Sequence, residues 1–463
     1  MLHTTTAVGE AEALRARLTG RVVTPADADW DVARMGWNLA ADQRPAAVAV
    51  PATVQDVVEV VRHAAEAGMR VAPQGTGHNA TAHGALDATI LLKTHELRGV
   101  SIDPVLRRAR VHAGDLWEDV TGPASQYGLA PISGSSPDVG VVGFALGGGI
   151  GWLSRKFGLC ADSVLSIECV LADGRHVRCD AHTNSDLFWA LRGGSGSFAI
   201  VTALELELFE VGEMVSMGAM LWPWERAADV MEAWRQWTQD APDEVTTSIR
   251  LMQLPPLPEL PDFLRGRQLV IIDGAVVGSP EDAERILAPL RALDPEIDLW
   301  GMQPPAGLSR VHMDPEDPMP GLSDHLMLRE LDAQAIKDLV AVAGPGSGSP
   351  LVMMEIRQLG GALGRRRDGA GALGGLDARY LTFAAGLPID ADVVCALRGG
   401  FGRVRNVLSR VATDGHYLNF QEHARDPRHA YEAGTYARLQ AVKAAYDPQD
   451  LIRANHAVAL PEA

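Results

Sequence analysis

Three glycine clusters in the first two hundred residues constrain this chain more than any other feature. The first is Gln74-Gly75-Thr76-Gly77-His78-Asn79-Ala80. In the second, Gly140, Gly143, Gly147, Gly148, Gly149 and Gly151 fall within twelve residues. The third is Arg192-Gly193-Gly194-Ser195-Gly196-Ser197. The second cluster holds more glycine than a turn requires, and such density places a backbone flat against a ligand or another backbone. His78 adds what a phosphate cradle does not need, a nucleophilic imidazole.

At 463 residues the chain is long enough for two domains. With 47% hydrophobic and 22% charged residues it has ordinary globular composition, which excludes general disorder. Its net charge of −18, from 59 acidic and 41 basic side chains, argues against nucleic acid or an anionic membrane as partner. The stretch from Met1 to Thr19 carries Glu10 and Glu12 and lacks the apolar core of a secretory signal. No window is apolar enough to span a bilayer; Val48 to Ala65 is interrupted by charges. Cys160, Cys169, Cys179 and Cys395 match no zinc or redox spacing and read as reduced thiols of a cytoplasmic protein. A monomer or homodimer acting on a small molecule is expected.

The hydrophobic pattern gives strands at Ala47 to Val50 and Met69 to Ala72, with a helix from Val54 to Gly68 between them and Thr53 as its N-cap. Further strands are expected at Thr89 to Leu92, Ala109 to His112, Val164 to Leu171, His176 to Cys179 and Ala199 to Leu208. Asp173-Gly174 marks a hairpin. Helices are expected at Leu116 to Tyr127 and Asp186 to Leu191. After Glu210 the texture changes to proline-rich connections among strands (Leu269 to Val277, Leu351 to Leu359) and helices (Pro280 to Leu293, Ala333 to Ala343). Gly360 to Gly375 reads as a mobile surface loop. Tyr431 to Tyr446 reads as an amphipathic helix ended by Asp447-Pro448.

Gly75-x-Gly77-x-x-Ala80 satisfies the nicotinamide-dinucleotide fingerprint in letters. Its context does not: no amphipathic helix follows in Asn79 to Asp87, and Pro73 is expected to break the strand before it. A tight turn between strands is the plainer reading of that loop alone. Taken together, however, three glycine loops suit a long ligand held by main chain at several points, and FAD fits better than a compact substrate.

Five segments then resemble one family. They are Val48 to Pro73, Gly75 to His78, Gly143 to Gly158 (Gly-Phe-Ala-Leu-Gly-Gly-Gly-Ile-Gly-Trp-Leu-Ser-Arg-Lys-Phe-Gly), Asp186 to Gly194 and Val442 to Pro448. From about Asp27 to the C-terminus the chain resembles the berberine bridge enzyme-like branch of the vanillyl-alcohol oxidase, or PCMH-type, flavoproteins. The resemblance implies an α+β fold: a two-subdomain PCMH-type FAD-binding domain, plus an α/β substrate domain with a large antiparallel sheet flanked by helices. It implies an FAD-binding part at 1–208, a substrate-binding domain at 209–414, and a segment at 415–463 returning to the FAD domain.

By the same resemblance, His78 bonds covalently to the flavin 8α carbon. Gly75, Thr76, Gly77, Asn79, Gly140, Gly143, Gly147, Gly148, Gly149, Gly151, Val201 and Asn455 join it as cofactor-binding residues. Many relatives carry a cysteine that forms a second link before Pro-x-Val-Gly. This chain has Ser136-Pro137-Asp138-Val139-Gly140, and serine cannot form that thioether, so a single link through His78 is expected. Gln74 and Thr76 replace an arginine and a glycine of the usual first loop, and Ser197 replaces an asparagine. Val139 stands where relatives have a residue gating oxygen, and valine there resembles the oxygen-reactive members.

Flavin oxidation needs a hydride donor over the flavin and a group to take the proton. Tyr417-Leu418-Asn419-Phe420 resembles a family segment whose tyrosine is a base or substrate contact, which makes Tyr417 and Asn419 the catalytic candidates. His312 and Asp314, in a proline-stiffened loop, and Glu355, Arg357 and Gln358, on one strand, are substrate-site candidates. No metal is expected. The resulting expectation is an FAD-linked oxidase, reoxidised by O2 with H2O2 release. A flavin-dependent oxygenase on the same fold, or a nicotinamide-dependent reductase using the first loop, remains the alternative.

Overall fold

The computed structural model describes residues 12–258, 260–423 and 425–462. The reading of the N-terminus as no secretory signal therefore falls, for residues 1–11, outside the described residues. Strands β1 (Arg21–Val23), β2 (Ala47–Val50), β3 (Arg70–Gln74) and β4 (Thr89–Lys93) form a four-stranded sheet of order β1-β2-β4-β3, in which β2 and β3 run parallel to β4. Helix α1 (Val54–Ala67) crosses between β2 and β3. Thr53 accepts from the Asp56 amide while the Asp56 carboxylate accepts from the Thr53 amide, a reciprocal cap at the expected N-terminus. Val57, Val58, Val60, Val61 and Ala64 form its buried face, as the spacing predicts.

Pro73 does not break β3; it lies inside the strand. The reason is position. β3 is the sheet's edge, and its outer side is met by the C-terminal tail, where the Val71 amide donates to Leu451 and the Arg453 amide donates to Val71. Two residues further on, Pro73 lacks an amide on that same outer side, so no ladder bond is lost.

A second, antiparallel sheet follows, built from β5 (Val100–Asp103), β6 (Arg108–His112), β7 (Val164–Val170), β8 (His176–Asp180) and β9 (Ile200–Glu207), in the order β5-β6-β9-β7-β8. Helices α2 (Trp117–Ser125), α3 (Val141–Leu146) and α4 (Ser185–Leu191) pack with it.

The third sheet has eight antiparallel strands. Its long members are β10 (Val215–Pro223), β11 (Val245–Gln253), β12 (Gln268–Val276), β13 (Leu322–Leu328), β14 (Met353–Gln358) and β15 (Tyr380–Gly386). Their order is β10-β12-β11-β14-β15-β13, and the short strands Ile297–Asp298 and Gly301–Gln303 both pair with β10. Helices α5 (Ala227–Asp240), α6 (Pro280–Arg291), α7 (Ala333–Ala343) and α8 (Ala391–Leu408) cover one face. Side chains alternate along each strand. Ile249, Leu251, Ile272, Met354 and Ile356 enter the core beneath the helices. Ser248, Arg250, Asp273, Glu355 and Arg357 therefore point to the opposite face.

Two buried cations join the sheets to the rest. Arg155, just after the second glycine cluster, donates to the carbonyls of Val245, Ala241, Pro242 and Leu359. Lys443, on the last helix α9 (Ala433–Tyr446), is fully buried. It donates to the carbonyls of Ser197 (3.0 Å) and Ile452 (3.1 Å) and to the carboxylate of Asp447. The expected helix thus starts two residues later than its pattern suggests, and its buried stripe carries a charge.

Gly360 to Gly375 is a surface loop only in part: Gly364 to Gly369 are exposed, but the flanks are not. Leu363, Ala370, Ala372 and Leu373 are buried, and Leu373 lies against Gly148 and Gly193. Among the described residues no helix is long and apolar enough to cross a membrane.

Removing one partner of a buried ion pair leaves the other charge unpaired, at a cost of about 3–5 kcal/mol. Lys443→Met is expected to lose stability on that scale in denaturant unfolding. A change below about 1 kcal/mol would show that this pair does not hold the tail to the glycine clusters.

Candidate active site

Turning the chain sharply after β3 places the first glycine loop beside the segment Pro137 to Gly140. A Cβ on Gly140 would stand 3.8 Å from the Thr76 side chain, so the two loops are in contact. The N-terminal crossing at Trp37 closes the other side. Its amide donates to the Thr76 carbonyl (2.8 Å), and its indole stacks on His78 with ring centroids 4.2 Å apart and planes 23° from parallel.

His78 Nε2 lies 3.2 Å from Asp138 Oδ2. That distance suits an ion pair or a hydrogen bond, although the two groups are not aligned as a formed one, and both atoms are buried without another partner in the protein. The Ser136 hydroxyl donates to the other Asp138 oxygen. Burial raises the Asp138 pKa, but His78 and Ser136 beside it outweigh that and hold the carboxyl below its ordinary value.

The second cluster is where backbone meets backbone. A Cβ on Gly151 would stand 1.8 Å from the Ser133 carbonyl oxygen, and one on Gly147 would stand 1.8 Å from Asn419 Oδ1. At Gly151 the obstacle is backbone and no side chain fits; at Gly147 a side chain would displace the Asn419 amide from the glycine path. Gly149 and Gly148 complete the same path, and Gly143, on α3, has no atom within contact of its Cβ position. Asn419 donates to the Phe144 carbonyl (2.9 Å) and to the Tyr417 hydroxyl (3.2 Å). The sequence candidates Tyr417 and Asn419 are therefore brought against the glycine path. Burial pushes the Tyr417 pKa up, so its phenol holds its proton at neutral pH.

The C-terminal tail reaches the same place. Asn79 Nδ2 donates to the Leu418 carbonyl (3.1 Å) and lies 3.4 Å from His456 Nε2. Asn455 caps the next amide with its own side chain. Ser195 of the third cluster donates to the His456 carbonyl (3.1 Å). Val201 is buried in β9, and the Val139 carbonyl accepts from the Trp117 amide while its side chain packs on the N-terminal core.

Facing this assembly from the large sheet is a buried ionic cluster. His312 Nδ1 is 2.6 Å from Asp273 Oδ2, and its Nε2 is 3.2 Å from Glu355 Oε1 and 2.9 Å from an Arg357 terminal nitrogen. Arg250 pairs with Asp273 and donates to the His312 carbonyl (3.0 Å), while Ser248 donates to the other Asp273 oxygen (2.5 Å). Register explains the grouping. Arg250 stands directly opposite Glu355, and Ser248 stands opposite both Asp273 and Arg357. The Trp152 ring meets His312 edge-on at 5.0 Å, and the Arg357 guanidinium lies over the Trp152 and Phe420 rings.

Burial disfavours the charged form of each member, but the partners win. The Arg357 guanidinium and His312 hold Glu355 well below the carboxylate range, and Arg250 and His312 hold Asp273 down. Asp273 and Glu355 raise His312 above its ordinary value despite burial. Nε2 faces a donor and an acceptor at once, so the ring can accept from Arg357 when neutral or donate to Glu355 when protonated. This is a centre that can hold a proton away from water.

Of the sequence candidates, His312, Glu355 and Arg357 meet here. Asp314 is half-exposed and acts on His312 and Arg357 only through its field. Gln358 does not join them. One residue beyond Arg357 it points to the helix-covered face, where it accepts from Thr247 (3.1 Å). Arg250, Asp273, Trp37 and Asp138 were not expected. A lone aspartate within the apolar run Leu269 to Val277 was the available signal for Asp273; nothing local marks Trp37.

The residues fit a flavin dinucleotide. Buried polar atoms of Gln74 and Asn79 have no hydrogen-bond partner in the protein, and they flank a loop whose glycines admit close backbone approach. No helix follows the first loop, only a short turn at Ala80–His83, so a nicotinamide-type Rossmann site is excluded.

Fold and loops together define a flavin-binding protein, and comparison with known proteins agrees. Residues 45–180 match the FAD binding domain family. Along 95% of its length the chain is 28% identical to (R)-6-hydroxynicotine oxidase of Paenarthrobacter nicotinovorans, covering 96% of that protein. The Physcomitrella patens BBE-like 1 structure superposes with a TM-score of 0.85 at 21% identity, covering 98% of this chain and all (100%) of that one. Glucooligosaccharide oxidase from Acremonium strictum, with a 6-S-cysteinyl, 8α-N1-histidyl FAD, gives 0.81 at 23% identity over 98% and 100%. The chain contains an FAD binding domain and is an FAD-dependent oxidoreductase, similar over nearly its whole length to proteins of that kind.

Because Asp273 and Glu355 have depressed pKa values in the folded state, their contribution to stability is present above the ordinary carboxylate range near pH 4 and is lost as pH falls below it. The thermal midpoint is expected to drop on acidification through that window, less steeply in Glu355→Gln. Equal slopes would remove the cluster from the acid response.

Proposed function

We propose that the chain is an oxidase that removes a hydride from a small organic substrate and carries a single covalent tether to FAD through His78. The observation that supports this best is the convergence of the first loop and the Ser136 to Gly140 segment around His78, with neighbouring Asn79 bonded to the turn that lies on Gly147. FAD supplies the two-electron acceptor, and dioxygen regenerates it with release of H2O2. Ser136 stands where a second tether would need a thiol, and the valine at 139 favours oxygen access by its resemblance to oxygen-reactive relatives.

In this reading residues 1–208 and 415–463 bind the cofactor and 209–414 form the substrate side. The glycine loops offer backbone amides to the dinucleotide. Tyr417, its proton held by burial and its oxygen fixed by Asn419, donates a hydrogen bond to substrate. His312, set between Asp273 and Glu355, takes up the proton released with the hydride. Arg357, Trp152 and Phe420 exclude water from that step.

Denatured, washed protein is expected to stay yellow and fluorescent, and His78→Ala is expected to release its FAD into the supernatant. Retained colour in that variant would end the His78 assignment. Anaerobic mixing with a substrate panel identifies what bleaches the flavin. With that substrate, Glu355→Gln is expected to slow bleaching by about 10²-fold. An unchanged rate would place the ionic cluster outside the chemistry.

A further inference from the structure

The position that the family resemblance gives to a second tether has a different connection in this chain. The Ser136 hydroxyl donates to Asp138, and the free oxygen of Asp138 faces His78 Nε2 at 3.2 Å. Ser136 is buried, and the Asp138 side chain is 13% exposed. On its ring face, His78 is stacked by Trp37, whose own backbone is fixed to the Thr76 carbonyl. Stacking sets the ring plane, and the carboxylate chooses between the two nitrogens. An imidazole with a carboxylate beside one nitrogen keeps its proton there and leaves the lone pair on the other.

We propose that Asp138, anchored by Ser136, is a positioning residue for cofactor attachment: it holds His78 in the Nε2–H tautomer, so that Nδ1 presents its lone pair to the flavin 8α carbon. The inference rests on the His78 tether proposed above. In the attachment one C–H bond of the 8α methyl group breaks and the Nδ1–C8α bond forms. The methyl proton is lost, the Nε2 proton passes to Asp138 and then to solvent, and two electrons enter the isoalloxazine. Dioxygen takes those two electrons with two protons and leaves as H2O2, so histidine, FAD and O2 give histidyl-FAD and H2O2. A residue where relatives have the second link serves here to orient the first.

The test is the rate of covalent incorporation when apoprotein is mixed with FAD in air, read as flavin retained on denatured protein and as the mass of the His78 peptide. Non-covalent FAD binding is measured in parallel by equilibrium filtration. Asp138→Asn is expected to bind FAD yet attach it at least about tenfold more slowly. Asp138→Glu, which keeps the carboxylate, is expected to recover part of the rate, and Ser136→Ala to show a smaller slowing. A purely structural role for Asp138 would not separate Glu from Asn. Wild-type attachment rates in Asp138→Asn, or in Ser136→Ala should Asp138→Asn fail to fold, would overturn the proposal while His78→Ala still lacks covalent flavin. Covalent flavin in His78→Ala would instead overturn the tether on which it rests.

Discussion

Close backbone approach at the second glycine cluster is the constraint on which the rest of the molecule depends. At Gly147 and Gly151 a single methyl group would overlap an asparagine oxygen and a main-chain carbonyl. Because those positions carry none, the Tyr417 to Phe420 turn lies directly on the path between α3 and Arg155. The loop at Leu373 fills the space beside Gly148 and Gly193. Two chain segments more than two hundred residues downstream thereby meet the glycine path on one surface. A larger side chain would separate them by its own width, and both the cofactor cradle and the catalytic candidates would lose their common floor.

Electrostatics then divides the assembly into two tasks. Arg155 and Lys443 are buried cations that satisfy backbone carbonyls from distant segments, which fixes how the sheets and the tail are joined. The cluster of Arg250, Asp273, His312, Glu355 and Arg357 is different. Taking such charges out of water is costly unless each finds its partners, and here the strand register supplies them from one sheet face. With a neutral His312 its two cations and two carboxylates balance; a proton gained by the ring leaves one positive charge in excess, shared between the two carboxylates that flank it. Such a group can serve chemistry as well as stability.

Much of the architecture was legible locally. Helix α1 announced itself by valine spacing and a Thr-Asp cap, and most strands of the two N-terminal sheets by their alternation. Glycine density pointed to FAD. Errors came where the deciding partner was remote. Pro73 read as a strand breaker because the edge position of β3 is a property of the sheet. Gly360 to Gly375 read as surface throughout because the partners of its buried end, Gly148 and Gly193, lie far upstream in the chain. Gln358 was grouped with Glu355 and Arg357 although a one-residue step reverses its face.

By itself the sequence determined the periodicities, the three glycine loops and the presence of one nucleophilic imidazole, because those depend on neighbouring residues and on the absence of side chains. Tertiary structure alone decided what surrounds that imidazole. Trp37 and Asp138 reach His78 from separate segments of the chain, Ser136 fixes Asp138, and Asp273 reaches His312 from a strand. A histidine's tautomer and charge are set by groups within a few ångströms in space, and no spacing along the chain encodes that proximity.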